Sequence, residues 1–299
     1  MGKRVNSNGI VCVFACLLIA IPTAPVQAQG GRSGELAPRK VIIGTVIHGY
    51  YGVPYPGLDR RLTEVENLID SVAKESERKY PGEGLDLVVL PEEIITIGKG
   101  GTPKERCVPL KGPVLDRMGE KARRYSTYLI VPLDLDGDDG TFSNAAVLLD
   151  RSGNVVGTYH KVHLVAPLGS DVLEGGLTPG AEYTVFDCDF GRIGIQICFD
   201  LCYPEGWQAL AKKGAEIVAV PTMSPQIARP SSYALNGRYY VVTSNHRNNA
   251  TNFNTAGKID AQISDGDNNV LPGNLRLTQG AVLVHRIDLS YALVPWSGR

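Results

Sequence analysis

The sequence predicts a layered α/β domain built on mixed β-sheets, and three observations carry that reading. Strand-like runs outnumber helical ones, the two kinds alternate along most of the 299-residue chain, and several neighbouring strands are joined by short turns. Alternation of this kind yields sheets covered by helices. Short turns make antiparallel pairs, because parallel neighbours need a long crossover, so a simple doubly wound arrangement is disfavoured. No internal repeat, low-complexity tract or linker divides the chain.

The elements follow in order. Val41 to Ile47 is a β-branched run and reads as a strand. Asp59 to Lys79 has helical spacing, with Leu62, Val65, Leu68, Ile69 and Val72 on one face. Leu85 to Leu90 is a continuous apolar run stopped by Pro91, the pattern of a buried strand. Val114 to Tyr125 reads as a helix, Tyr128 to Leu133 as a strand, and Asp136 to Gly140 as an exposed turn. Ala145 to Leu149 and Val155 to Tyr159 flank Arg151-Ser152-Gly153-Asn154, a turn signal between two strands. Val185 to Phe190 and Ile193 to Ile197 form another pair around Gly191-Arg192. Pro204 to Lys213 is a helix with Pro in its first turn and Gly214 just past its end. Ile217 to Val220, Tyr239 to Ser244 and Ala281 to Ile287 are strands. Asn245 to Asn274 is rich in Asn, Asp and Gly and reads as a long surface loop holding one short strand.

Composition excludes several function classes. A formal net charge of -1 offers no electrostatic footprint for nucleic acid or an anionic membrane surface. Lys3 and Arg4, the apolar run Ile10 to Ile21 and the small residues of Val26-Gln27-Ala28 have the pattern of a secretory signal peptide cleaved after Ala28. That run is short of the ~20 residues that span a bilayer, so the expected product is secreted or periplasmic with no stable membrane anchor. Residues 29–39 then form a flexible mature N-terminus, and residues 40–299 form the functional domain. Cys107, Cys188, Cys198 and Cys202 remain; they make neither a disulfide framework nor paired C-x-x-C zinc units.

Three reactive groups stand just beyond strands. Glu92 follows Val88-Val89-Leu90-Pro91, where a carboxylate screened by a sheet edge can serve as general base. Lys161 follows Gly157-Thr158-Tyr159-His160, placed to offer a fixed positive charge to an oxyanion. His160 and His163 lack the carboxylate partner that a metal site needs. Cys198 ends Ile193-Gly194-Ile195-Gln196-Ile197 and enters a tight turn before the helix at Pro204. A thiol at such an elbow meets backbone N–H donors, which lower its pKa and supply oxyanion donors. Each segment alone has an ordinary structural explanation; it is their combination that carries information.

Glu92, Lys161 and Cys198, in that order and each after its own strand, resemble the catalytic set of the nitrilase superfamily of carbon–nitrogen hydrolases, on its amidase-like side. The resemblance runs from about Val41 to Asp288. It includes Asn144-Ala145-Ala146-Val147, Glu174 with Thr178-Pro179-Gly180, Tyr203-Pro204-Glu205, Gly214-Ala215-Glu216-Ile217 and Pro221-Thr222. It implies a four-layer α-β-β-α sandwich with two mixed β-sheets, and a homodimer or larger assembly. It also implies hydrolysis of a non-peptide C–N bond without metal or organic cofactor. In that chemistry Glu92 is the base, Cys198 forms a thioester, and Lys161 with the backbone N–H of Phe199 holds the oxyanion.

Some positions depart from the family pattern. A further glutamate is expected shortly before Asn144, where the stretch Leu133-Asp134-Leu135-Asp136-Gly137-Asp138 offers only aspartates. Asp134 or Asp136 is the candidate substitute. Phe199-Asp200 after the nucleophile, where nitrilases usually carry Trp-Glu, favours a small amide or carbamoyl substrate over a nitrile. A nitrilase, or a binding protein that kept the fold and lost turnover, are the alternatives, and no substrate-binding residue is assigned.

Overall fold

The computed structural model describes residues 37–50, 53–137, 140–166, 168–223, 226–247, 249–264 and 281–291. The signal-peptide reading, most of residues 29–39 and the end of the Asn245 to Asn274 segment lie outside these residues. The chain opens with β1 (Lys40–Ile47), α1 (Leu58–Lys79), β2 (Leu87–Val89), α2 (Pro103–Arg106), β3 (Val108–Pro109) and α3 (Pro113–Tyr125). It continues through β4 (Tyr128–Asp136), β5 (Phe142–Leu149), β6 (Val155–His160), β7 (Val185–Cys188) and β8 (Gly191–Ile195). A short 3-10 helix, Cys198–Cys202, leads into α4 (Pro204–Lys212), then β9 (Ile217–Thr222), α5 (Ala228–Gly237) and β10 (Tyr240–Asn245). β11 (Asn249–Phe253), β12 (Ile259–Ser264) and β13 (Ala281–Asp288) complete the strands.

Parallel and antiparallel pairing are mixed, as the sequence predicts. The main strand order is β6-β5-β4-β2-β1-β10-β9-β8-β7, with β13 antiparallel to β1. Two separate sheets were the expectation, whereas the described strands form one hydrogen-bonded network. The two halves meet through a single register pair, Ile47 opposite Asn245, at the ends of β1 and β10. Just before that pair the Ser244 hydroxyl bridges to Val46, accepting from its N–H at 3.2 Å and donating to its carbonyl at 3.1 Å. A side chain thus replaces backbone pairing where the strands part.

Three cores explain why these elements fold as they do. The predicted α1 face (Leu62, Val65, Leu68, Ile69, Val72) is buried in a core shared with residues of α3, β1, β2, β4 and β5, each side chain contributing roughly 1.5–3 kcal/mol. Gly44 permits that approach: a Cβ there would lie 2.1 Å from Val72 Cγ1. A second core joins Val41, Ile43, Val89 and Ile130 of one half to Ile193, Ile195, Ile217 and Val242 of the other. A third packs Trp207 and Leu210 of α4 and Ala234 of α5 against β9 and β10.

Two local expectations change. α5 carries weak helix formers, including Pro230, Ser231 and Ser232, and gives no periodic signal. Tertiary packing overrides propensity: Trp207 stacks on Tyr233 at 4.3 Å and 7°, and Pro230 sits in the first turn, where its missing N–H is harmless. The Asn-rich segment holds a hairpin, β11 paired with β12, rather than one short strand. Thr251 anchors it, donating its N–H to Thr243 Oγ1 at 2.9 Å.

Candidate active site

Glu92, Lys161 and Cys198 come from three separate strand ends and meet at one place. Glu92 lies in the turn after β2, Lys161 directly follows β6, and Cys198 begins the 3-10 helix after β8. Glu92 and Lys161 are 2% and 1% exposed, which matters because charges so buried need partners. The Lys161 Nζ donates to Glu92 Oε1 at 2.7 Å and to Glu174 Oε1 at 2.5 Å. Asn144 Nδ2 faces Glu92 Oε1 at 2.9 Å, Glu174 Oε2 at 3.1 Å and Glu93 Oε1 at 3.2 Å. The Met223 N–H donates to Glu92 Oε2 at 3.1 Å. Glu92 is therefore held by donors on both oxygens.

The second carboxylate on Lys161 comes from a different part of the chain than the stretch before Asn144. Glu174, in the short turn Leu173–Gly175, supplies the second carboxylate on Lys161. Asp134 does not meet Lys161; it pairs with Arg106 Nε at 2.7 Å, and Arg106 in turn donates to the Glu174 carbonyl. Asp134 thereby supports the Glu174 turn at one remove. Asp136 is the last residue of β4, opposite Phe142. The sequence contained a signal for Glu174, since it stands in the matched segment before Thr178-Pro179-Gly180. Spacing along the chain could not reveal that it would reach back to Lys161.

Electrostatics correct one expectation. The elbow was expected to lower the Cys198 pKa, yet the thiol is pushed up to about 12. Burial is the main cause and the Glu92 carboxylate adds to it, outweighing Lys161, the Met223 N–H and the Thr222 hydroxyl. For Lys161, burial works against the ammonium, but Glu92, Glu174 and Cys198 outweigh it and hold the group well above the usual lysine range. Burial, then the charges of Asp134, Glu92 and Glu174, push Glu93 well up. The resting arrangement is a neutral thiol beside a fixed ammonium and a carboxylate.

Backbone strain gathers at the same place. Glu93, Glu174 and Cys198 have φ of 51°, 39° and 42°, a region that non-glycine residues rarely occupy. Each such residue costs about 1–3 kcal/mol and persists only where its surroundings hold it. His160 and His163 meet side chains of this chain: His160 Nδ1 lies 2.7 Å from Ser143 Oγ, and His163 Nδ1 lies 3.0 Å from Asp200 Oδ1. Cys107, Cys188, Cys198 and Cys202 are all free thiols.

Comparison with known proteins decides the family. The carbon–nitrogen hydrolase model matches residues 54–292, a stretch that contains Glu92, Lys161, Glu174 and Cys198. The chain belongs to the carbon–nitrogen hydrolase family. It lies in the nitrilase superfamily, and its relatives include both amidases and a nitrilase. Deaminated glutathione amidase of Synechocystis sp. is 29% identical to this hydrolase over 175 residues, 56% of this chain and 61% of that protein. A nitrilase of Pyrococcus abyssi is 29% identical over 194 residues, 62% of this chain and 68% of that protein. The hydrolase spans about three fifths of the length of the curated amidases it matches. Among solved structures, Saccharomyces cerevisiae Nit3 aligns with TM-score 0.66 and 19% identity over 87% of this chain and 96% of that one. A glutamate-to-glutamine mutant of the amidase from Nesterenkonia sp. AN1 aligns with TM-score 0.62 and 21% identity over 85% of this chain and 92% of that one, and carries the acetamide moiety of fluoroacetamide covalently added at its active-site cysteine. At these identities the structural likeness is one of fold.

Proposed function

We propose that this hydrolase cleaves the C–N bond of a small amide or carbamoyl compound, with Cys198 as nucleophile and Glu92 as general base and acid. Lys161 and the Phe199 N–H are the oxyanion donors in this reading. The observation that carries it is the 2.7 Å contact between Glu92 and Lys161, with the thiol beside both. Because the resting thiol is neutral, its proton passes to Glu92 as Sγ attacks the carbonyl carbon. The carbonyl electron pair moves onto oxygen, next to the Lys161 ammonium and the Phe199 N–H. Collapse breaks the C–N bond, the amine leaves with the proton from Glu92, and a thioester remains. Water then transfers a proton to Glu92 and adds to the thioester, and Cys198 departs as its thiol.

The amidases among the relatives support an amide substrate, and so does Phe199-Asp200 after the nucleophile. The three cores support stacking of the two sheet halves as the inner layers of an α-β-β-α sandwich, with α1 and α3 outside one and α4 and α5 outside the other. Export after cleavage behind Ala28 and assembly as a homodimer belong to the same reading. N-terminal sequencing of exported protein and light scattering test them.

The deciding assay measures ammonia or amine release from amides, N-carbamoyl compounds and nitriles, with Cys198→Ala as control. Turnover of an amide or carbamoyl compound, reduced about 10³-fold or more in the control, is the expected result. Release from nitriles alone would make the protein a nitrilase. Stoichiometric alkylation of Cys198 with no release from any class would make it a binding protein.

A further inference from the structure

A buried carboxylate outside the catalytic set ties two catalytic loops together. Asp200 lies two positions after Cys198 and has no exposed surface. Its Oδ2 accepts the Ile197 N–H at 2.9 Å and the Tyr159 hydroxyl at 2.8 Å. Its Oδ1 accepts the His163 N–H at 2.9 Å and faces His163 Nδ1 at 3.0 Å. The residue before the nucleophile, and the residues two before and two after Lys161, therefore converge on one side chain.

Each end of this clamp is itself fastened. The His163 ring stacks on Tyr203 at 3.7 Å and 6°, and Gln196 Nε2 donates to the Tyr159 hydroxyl at 3.1 Å. Trp207 Nε1 donates to the Asp200 carbonyl at 3.1 Å, joining the clamp to α4. With four donor atoms around it, the carboxylate is fixed in one orientation. The bond to the Ile197 N–H also closes the turn in which Cys198 has its strained φ of 42°.

We propose that Asp200 is a positioning residue: its carboxylate sets the placement of the Lys161 ammonium relative to the Cys198 thiol by joining their two loops. The inference rests on the reading of Cys198 and Lys161 as the reacting pair, and adds a residue that acts through both. Misplacement of reacting groups by about 1 Å can cost 10²-fold in rate. A side chain that holds both loops is therefore worth that much to kcat and little to KM.

Asp200→Asn tests it. The amide has nearly the same shape but presents an NH2 where the carboxylate presents an acceptor, so one pair of donors loses its partner. The expected result is a fall in kcat of roughly 10²-fold with KM within about 3-fold. Iodoacetamide alkylation at Cys198, followed by peptide mass, slows as well. Lys161→Met slows the same alkylation, and Asp200→Asn/Lys161→Met is no slower than Lys161→Met alone, because the relative placement that Asp200 sets matters to the thiol only while the ammonium is present. Tyr159→Phe removes one clamp bond, and a smaller fall of about 3–10-fold in kcat and alkylation is expected. It carries the test if Asp200→Asn gives no cooperative melt. Additive alkylation effects, or kcat and alkylation within 2-fold of the unaltered protein, would overturn the clamp. Absence of turnover by the unaltered protein on every substrate class would overturn the proposed function instead, and the alkylation cycle reads the clamp without turnover.

Discussion

On the proposed mechanism, replacing Glu92 with Gln separates the reactivity of the Cys198 thiol from its use in turnover. In the structure Glu92 and the Cys198 thiol share the Met223 N–H as a donor. Two acceptors of one N–H lie no more than about 6 Å apart. A unit charge at that distance, in an effective dielectric of about 20, is worth about 3 kcal/mol, or about two pH units. Removing the carboxylate charge therefore brings the thiol down from about 12 to roughly 10. At pH 8 the thiolate fraction rises ~100-fold, while the intrinsic nucleophilicity of the less basic sulfur falls about 10-fold. Iodoacetamide should then alkylate Cys198 about 10-fold faster in Glu92→Gln than in the unaltered protein. Turnover should collapse by about 10²–10⁴-fold, since nothing takes the thiol proton or activates water. The assay is the alkylation rate across pH 7 to 10 beside amide turnover, with thermal melts to show that the variant folds. If alkylation slows in step with turnover, Glu92 generates the thiolate in the resting enzyme, and the electrostatic account of the site is wrong.

Three further outcomes are expected. Glu174→Gln sets its NH2 against Asn144 Nδ2, now 3.1 Å from Glu174 Oε2. Stability should fall by about 1–3 kcal/mol in denaturant melts, and kcat by about 10-fold or more as Lys161 loses one of its two carboxylates. Asp134 is raised to about 6, burial being the main cause against Arg106. Below about pH 4 it is protonated folded and unfolded; between about 4 and 6 only the unfolded chain releases the proton, so stability falls as pH rises through that window. The loss approaches about 3 kcal/mol, and Asp134→Asn should flatten that part of the stability curve. Trp207→Ala, which empties the centre of the α4–α5 core, should cost about 3–5 kcal/mol in melts.

The legible parts of this fold were those written in local pattern. The α1 face, the strand runs and the turn between β5 and β6 follow from period and turn residues, and the structure places them within a few positions. That Glu92, Lys161 and Cys198 come together was legible because each lies within three residues of a strand end, and strand ends deliver their following residues to the sheet edge. α5 was not, because Tyr233 on Trp207 holds it helical against its own propensities. The upward push on the Cys198 thiol was hidden for a similar reason: it depends on burial and on a carboxylate 106 positions earlier in the chain. Glu174 and Asp200 were both visible as residues, but their partners are set by tertiary folding. A pairing such as Asp200 with Tyr159 and His163 has no periodic trace.

The route by which Glu174 reaches Lys161 has a consequence for redesign. This carboxylate arrives on the segment between β6 and β7, at a turn where Gly175 and Gly176 also have positive φ. Loops of that kind are the parts usually exchanged to alter substrate choice. In this protein, transplanting residues 165–180 would remove a counter-charge of Lys161 together with the loop. A graft here succeeds only when the incoming loop brings its own acid to the same point beside Lys161.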